Sequence, residues 1–464
     1  MFDVVIRNGT LVTPNGVFNA DLGIEDGKIK SISKSGLSGA DRVINAEGKY
    51  VFPGLVDPHL HITRDFEQTC YQETESFAFG GITSCFNFVS SKDHLKELLE
   101  SSINVISKKS VINMGLHAII SNLAQTKELY IYSNKYGVTS FKFLMAAQEK
   151  ELYPGTFAAS DGTIFSAFEE IAKLGYPATA LVHAENWEIS FALRDRFISE
   201  NRASTQEDYI DSRPRICEIE AMSRMIQFAK HFDCRLYFPH VSTAEGMDLI
   251  GKSQADGWKI TGETCTHYLT FTKDHKFPLP AKVNPPLREK NDVEALWNGL
   301  INGQITCVAS DYVPGNMGKL DSNNVFESAG MPGRTPGMIL PLLLTEVNKG
   351  RFTPELVAQV TSTNAAKWFG IFPQKGSLSI GADADLTVVD MKMTTIMSPE
   401  TLHATSDATW YDGLETKGWP VLTMVGGVIV TERDEFHGPK GTGKYLGRSL
   451  QSSAPETTRT RAVP

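Results

Sequence analysis

Eight short apolar runs, each followed by a stretch of helical periodicity, recur between Val51 and Tyr312, and few architectures accommodate that many repeats. The runs are VFPGLVDPHLH, GITSCFNFV, VINMGLHAII, VTSFKFLM, ATALVHAE, RLYFPHVS, WKITGETCTHYL and QITCVASDY. Between them, segments such as DHLKELLESSINVISKK and FSAFEEIAKLG place apolar residues at helical spacing, the pattern of repeated βα units. Eight such units predict an α/β chain built as a (β/α)8 TIM barrel rather than an open sheet.

The two ends read differently. From Phe2 to Val51 the chain alternates over short runs, as in DVVIRNGTLVTPNG and DLGIEDGKIKSI, with Asn-Gly and Asp-Gly turns that mark β-hairpins. The same texture returns in GSLSIGADADLTVVD and WPVLTMVGGVIVTERDEF. One discontinuous β-sandwich is therefore expected from residues 1–53 and 375–437, with the barrel over 54–374. From Gly438 to Pro464 the composition shifts to Gly, Lys, Ser, Thr and Pro without apolar period, which predicts an arm or a disordered end.

The 464 residues, 41% hydrophobic and 21% charged, suit one large domain with a smaller companion. A net charge of -9 without a basic block excludes a nucleic-acid or anionic-membrane partner, since both need clustered Lys and Arg. Neither a secretory leader nor an apolar run of membrane length is present, so a cytoplasmic enzyme is expected. Cys70, Cys85, Cys217, Cys234, Cys265 and Cys307 are widely spaced and read as reduced, buried thiols.

Candidate ligands gather at the ends of the predicted strands, where barrels of this kind place their chemistry. His59 and His61 are two apart and share one side of a strand end, so both imidazoles reach one metal. Lys142, His183, His240 and Asp311 close the fourth, fifth, sixth and eighth runs. Lys142, flanked by Phe141, Phe143, Leu144 and Met145, is costly to bury as an ammonium. Addition of CO2 would turn that amine into an anionic carbamate able to bridge two cations. Four histidines, a carbamate and an aspartate then serve two divalent ions, zinc by default, with Mn, Co or Fe also compatible. A water between them is acidified, and Asp311 is placed to take its proton and pass it to a leaving nitrogen.

At these residues the sequence resembles the cyclic amidases of the amidohydrolase superfamily, the hydantoinases and dihydropyrimidinases, with allantoinase and dihydroorotase as cousins. The blocks GLVDPHLH, SFKFLMA, VHAEN, HVSTAEG, GETCTHYL, NPPLREKND, SDYVP, AAKWFGIFPQKG, GADADLTVVD and GTGKYLGR carry the likeness. The resemblance implies that His59, His61, carbamylated Lys142, His183, His240 and Asp311 are the complete ligand set. It also implies a homotetramer, the arm packing on a neighbour.

Around the substrate the chain departs from its relatives. Ala147 stands where hydantoinases carry an oxyanion-supporting tyrosine, and Tyr312 or Arg334 is expected to replace it. Asn284 takes the place of a serine and suggests substrate contact, as in dihydroorotase. Where dihydroorotase has a carboxylate-holding arginine, this chain has Thr63, with Arg64 next as the candidate. The expected activity is opening of a hydantoin-like or dihydropyrimidine-like ring. An allantoinase-like or dihydroorotase-like hydrolase is the alternative, and a non-catalytic scaffold is disfavoured by the intact ligand set.

Overall fold

The computed structural model describes residues 1–62, 65–145, 151–153, 156–277, 282–315, 324–327 and 333–452. Its centre is a ring of eight parallel strands among the described residues: Leu55–Leu60, Ile82–Val89, Asn113–Ile119, Ser140–Leu144, Thr179–His183, Leu236–Phe238, Ile260–Cys265 and Cys307–Ala309. The expected eight runs are these strands. Helices cover the outside of the ring, so the strands are buried at every position rather than alternately, which is why each reads as an apolar run. Inside the ring Phe86, Phe88, Tyr237 and Phe369 fill the bore with aromatic volume.

The seam between the first and eighth strands is closed by polar groups. Asp57, fully buried, accepts the Ser310 hydroxyl at 2.6 Å and the His59 amide at 3.1 Å. The His61 amide then donates to the Tyr312 carbonyl at 2.8 Å, continuing the ladder past the strand ends. Burial pushes the Asp57 carboxyl up to about 7 despite those donors.

Strand-to-helix turns at the C-terminal mouth follow directly from local sequence. Three residues beyond His183, Asn186 caps helix Trp187–Ser199 by accepting from the Ile189 amide; three beyond His240, Thr243 caps helix Ala244–Ala255 through the Gly246 amide. Each of these histidines is thereby held between a strand end and an N-cap, where the chain has no freedom to swing.

The chain ends form one connected, mostly antiparallel sheet of nine strands among the described residues. Its join is the pairing of Tyr50–Pro53 with Leu386–Ile396, which sets Val51 opposite Val388. The alternating faces of Phe2–Thr13 and Gly16–Glu25 bury Val4, Ile6, Leu11, Leu22 and Ile24 in the core of this sheet.

Residues 438–452, expected as an arm towards a neighbour or a disordered end, lie instead against the chain's own barrel. The Met114 amide donates to the Lys444 carbonyl at 3.0 Å, and Leu446 donates back to Met114 at 2.9 Å. The buried Arg448 reaches Ser140 Oγ at 2.7 Å and the Leu116 carbonyl at 2.5 Å. All six cysteines are buried and unpaired. No helix among the described residues is long and apolar enough to cross a membrane.

Candidate metal centre

The six expected ligands come together at the C-terminal mouth of the barrel in two touching groups. In the first, His59 Nε2 lies 3.1 Å from His61 Nε2, 3.1 Å from Lys142 Nζ and 3.1 Å from Asp311 Oδ1. His61 Nε2 is 3.6 Å from the same aspartate oxygen. In the second, His183 Nδ1 faces His240 Nε2 at 2.9 Å. The His59 and His240 rings, 5.3 Å apart between centroids, join the groups.

Donor atoms converging in this way have little reason to be near one another unless a cation sits among them. His59, Lys142, His183, His240 and Asp311 are each no more than 6% exposed, so water does not satisfy them. Burial and the nearby Lys142 hold His59 and His61 well below the usual imidazole range, and burial with His183 does the same for His240. Neutral imidazole is the form that binds a metal. The donor set fits divalent cations: the ligand atoms of His59, His61 and Asp311 all lie within 4.8 Å of one another, and thiolate is absent from the group.

The backbone carries strain at two of these residues. His240 has φ 43° and Asp311 φ 49°, left-handed values that non-glycine side chains rarely adopt. Strain of this kind persists where a side chain must be aimed, and both side chains are aimed at the centre.

Two glutamates orient the histidines. Glu263 takes one carboxylate oxygen to His59 Nδ1 and accepts the Tyr237 hydroxyl on the other at 2.7 Å, leaving His59 Nε2 for the site. Glu185 accepts from His183 Nε2 at 2.8 Å, leaving Nδ1. Their environments differ. Burial pushes the Glu263 carboxyl up to about 8, whereas at Glu185 burial is outweighed by Arg213, the His183 hydrogen bond and Arg288 together, which pull it down to about 2. Neither glutamate is foreseen from sequence, although both stand inside apolar runs that end in chemistry, and a buried charge there is the available signal.

Lys142 is as enclosed as its flanking residues predict. Its Nζ lies 4.1 Å from the centre of the Phe88 ring, and burial pulls the amine down to about 8 against the opposing pull of Asp311 and Glu263. Asp311 is raised by burial and partly restored by Arg334 and Lys142, which makes it a better proton acceptor than an exposed aspartate.

Of the expected substrate-side residues, Arg334 reaches the centre. Its guanidinium donates to the Asp311 carbonyl at 3.2 and 3.0 Å and stands 3.4 Å from the carboxylate. Asn284 Oδ1 accepts the Tyr209 hydroxyl. Tyr312 does not join them. Adjacent residues at a strand end point opposite ways, so with Asp311 turned inward the Tyr312 phenol turns outward, donating to Glu73 at 2.6 Å and packing edge-on against Phe77. The expectation that it supports an oxyanion is corrected accordingly. Arg64 and Ala147 lie outside the described residues.

Comparison with known proteins gives a consistent outcome. The Amidohydrolase family pattern matches residues 50–430. A D-hydantoinase of Geobacillus stearothermophilus is 33% identical, over 96% of this chain and 96% of its own. An allantoinase of Rubrobacter xylanophilus is also 33% identical, over 95% of this chain and 97% of its own. The crystal structure of a dihydropyrimidinase from Brevibacillus agri superposes with a TM-score of 0.89 at 32% identity, covering 96% of this chain and 98% of that one.

Proposed function

The chain belongs to the amidohydrolase family and hydrolyses a cyclic amide, and from that premise we propose a binuclear centre at the barrel mouth that opens a hydantoin-like or dihydropyrimidine-like ring. The convergence of His59, His61, Lys142, His183, His240 and Asp311 on one buried spot carries the reading. Two divalent cations, zinc before Mn, Co or Fe, would polarise the amide carbonyl and acidify the attacking water.

The chain's own residues do the rest. The Lys142 ammonium would lose one proton to become the amine, and the amine, on forming its N–C bond to CO2, would lose a second, so a buried cation would be exchanged for an anion available to both metal ions. Asp311, raised by its burial, accepts a proton from water and returns it to the ring nitrogen as that nitrogen leaves. Arg334 holds Asp311 in its left-handed backbone conformation. Asn284, oriented by Tyr209, contacts the ring from the rim, and Arg64 contributes there if the ring bears an acid.

A second reading, an allantoinase-like ring opening, is favoured by allantoinases matching at the same identity as hydantoinases. Ala147 offers no hydroxyl to a developing oxyanion, which favours a ring other than plain hydantoin or dihydrouracil. A turnover panel of hydantoin, dihydrouracil, dihydroorotate, allantoin and cyclic imides, with metal-reconstituted protein, tests both readings. Activity on a ring of the panel is expected, and inactivity on every member would overturn the assignment.

The proposal extends to a cytoplasmic homotetramer acting on a small molecule. Supporting it are the six unpaired thiols and the exposed apolar side chains of Leu123, Tyr130, Ile131 and Phe165 on outer helices.

A further inference from the structure

We infer that Glu185 and Arg213 are positioning residues, a buried pair that fixes His183 as an Nδ1 ligand for one of the two cations. The inference rests on the binuclear reading above. An imidazole offers a metal one lone pair, and which nitrogen carries it depends on where the other nitrogen's hydrogen goes. At His183 that hydrogen goes to Glu185 Oε2, 2.8 Å from Nε2, and Nδ1 is left facing His240 at 2.9 Å.

Glu185 is fully buried, and a carboxylate there needs its own counter-charge. Arg213 Nη1 supplies it from 3.5 and 3.4 Å. The guanidinium is itself held in place. It lies 4.4 Å from the centre of the Trp187 ring and 5.3 Å from that of Tyr209, and the Arg213 carbonyl accepts from Arg288 at 2.7 Å. The Trp187 ring also packs on His183, at 5.9 Å between centroids, so one indole touches both the ligand and the cation that stabilises its partner. The two ends of the centre are built differently: His59 is oriented by Glu263, whose second oxygen meets a neutral phenol, and His183 by Glu185, which meets a guanidinium. Loss of the Glu185–Arg213 pair should therefore act on the cation held by His183 and His240 while leaving the cation at His59 and His61 in place.

The experiment follows zinc release from loaded, full-length protein into a chelator, with zinc per chain and apo-protein melting measured in parallel. Wild type is expected to hold about two zincs. Glu185→Ala and Arg213→Ala should release one of the two about 10- to 100-fold faster, with the other unchanged. Glu185→Gln, whose amide oxygen still accepts from Nε2, should recover much of the difference. Release of both zincs at wild-type rates in Glu185→Ala would overturn the inference. So would faster loss of both together with a lowered apo melting temperature, because the pair would then support only the fold. A wild type that holds a single zinc would overturn the binuclear reading and the inference with it.

Discussion

Arg334 grips Asp311 by its backbone as well as its side chain, donating to the carbonyl at 3.2 and 3.0 Å while its Nη2 stands 3.4 Å from the carboxylate. Because Asp311 sits at φ 49°, the clamp aims a strained residue rather than merely pairing a charge. Arg334→Met is expected to lower kcat by about 10²-fold, the cost of misplacing a reacting group, with KM little changed. Steady-state kinetics separates this from a substrate contact, for which KM would rise and kcat stand.

On the proposed binuclear centre, Lys142→Ala should lose metal and activity together, since the substitution would remove the anionic bridge and leave its space empty. Short carboxylic acids should restore part of both by occupying that space. Elemental analysis with and without added acetate or propionate measures the effect, and a variant that kept full turnover would show the carbamate to be unnecessary.

The Tyr312 hydroxyl is shared between Glu73 at 2.6 Å and Thr405 at 2.8 Å, away from the reacting centre. Tyr312→Phe is therefore expected to leave turnover within about threefold of wild type, while stability falls by about 1 to 2 kcal/mol for the lost buried hydrogen bond. Denaturant unfolding and kcat, measured on one preparation, decide between that and a catalytic role.

At the opposite end of the barrel, Lys375 is buried beside Asp383 at 3.0 Å and Asp385. Asp385 also accepts from Asn113 and the Gly426 amide, joining the barrel to the sheet. Burial opposes the ammonium, but the two aspartates outweigh it and raise Lys375 above its usual 10.5. A raised folded value means that the contribution is complete below 10.5 and is lost as pH climbs through that higher value. Lys375→Met should cost about 3 to 5 kcal/mol at neutral pH, and the gap to wild type should narrow under alkaline conditions. Urea unfolding across that range measures it; a gap independent of pH would place the effect in packing.

The barrel and the cluster of side chains at its mouth are legible because both depend on short-range regularities. Eight apolar runs give the strands, and the period of two places His59 with His61 on one side. The same period, applied one residue further, would have turned Tyr312 away from the centre that Asp311 faces. Glu185, Glu263 and Arg213 escape such reading because their partners are distant in sequence: Glu263 meets His59 from the seventh strand, and Arg213 meets Glu185 from beyond two helices. Nor does the composition of residues 438–452 predict their packing, since backbone hydrogen bonds to Met114 and Gly137 hold them down together with the scattered Tyr445, Leu446 and Leu450, which follow no apolar period.

The pairing of Val51 with Val388 has a consequence for how the chain reaches this state. Most of the chain between those two residues is barrel, so the sheet cannot complete itself until the barrel has brought its ends within reach, and the entropy of that closure precedes any reward from the pairing. Tyr50–Pro53, paired with Phe2–Thr13 on one side, must therefore wait with its other hydrogen-bonding edge open. Refolding yield should be limited by capture of that edge by other chains, and dilute conditions should favour recovery.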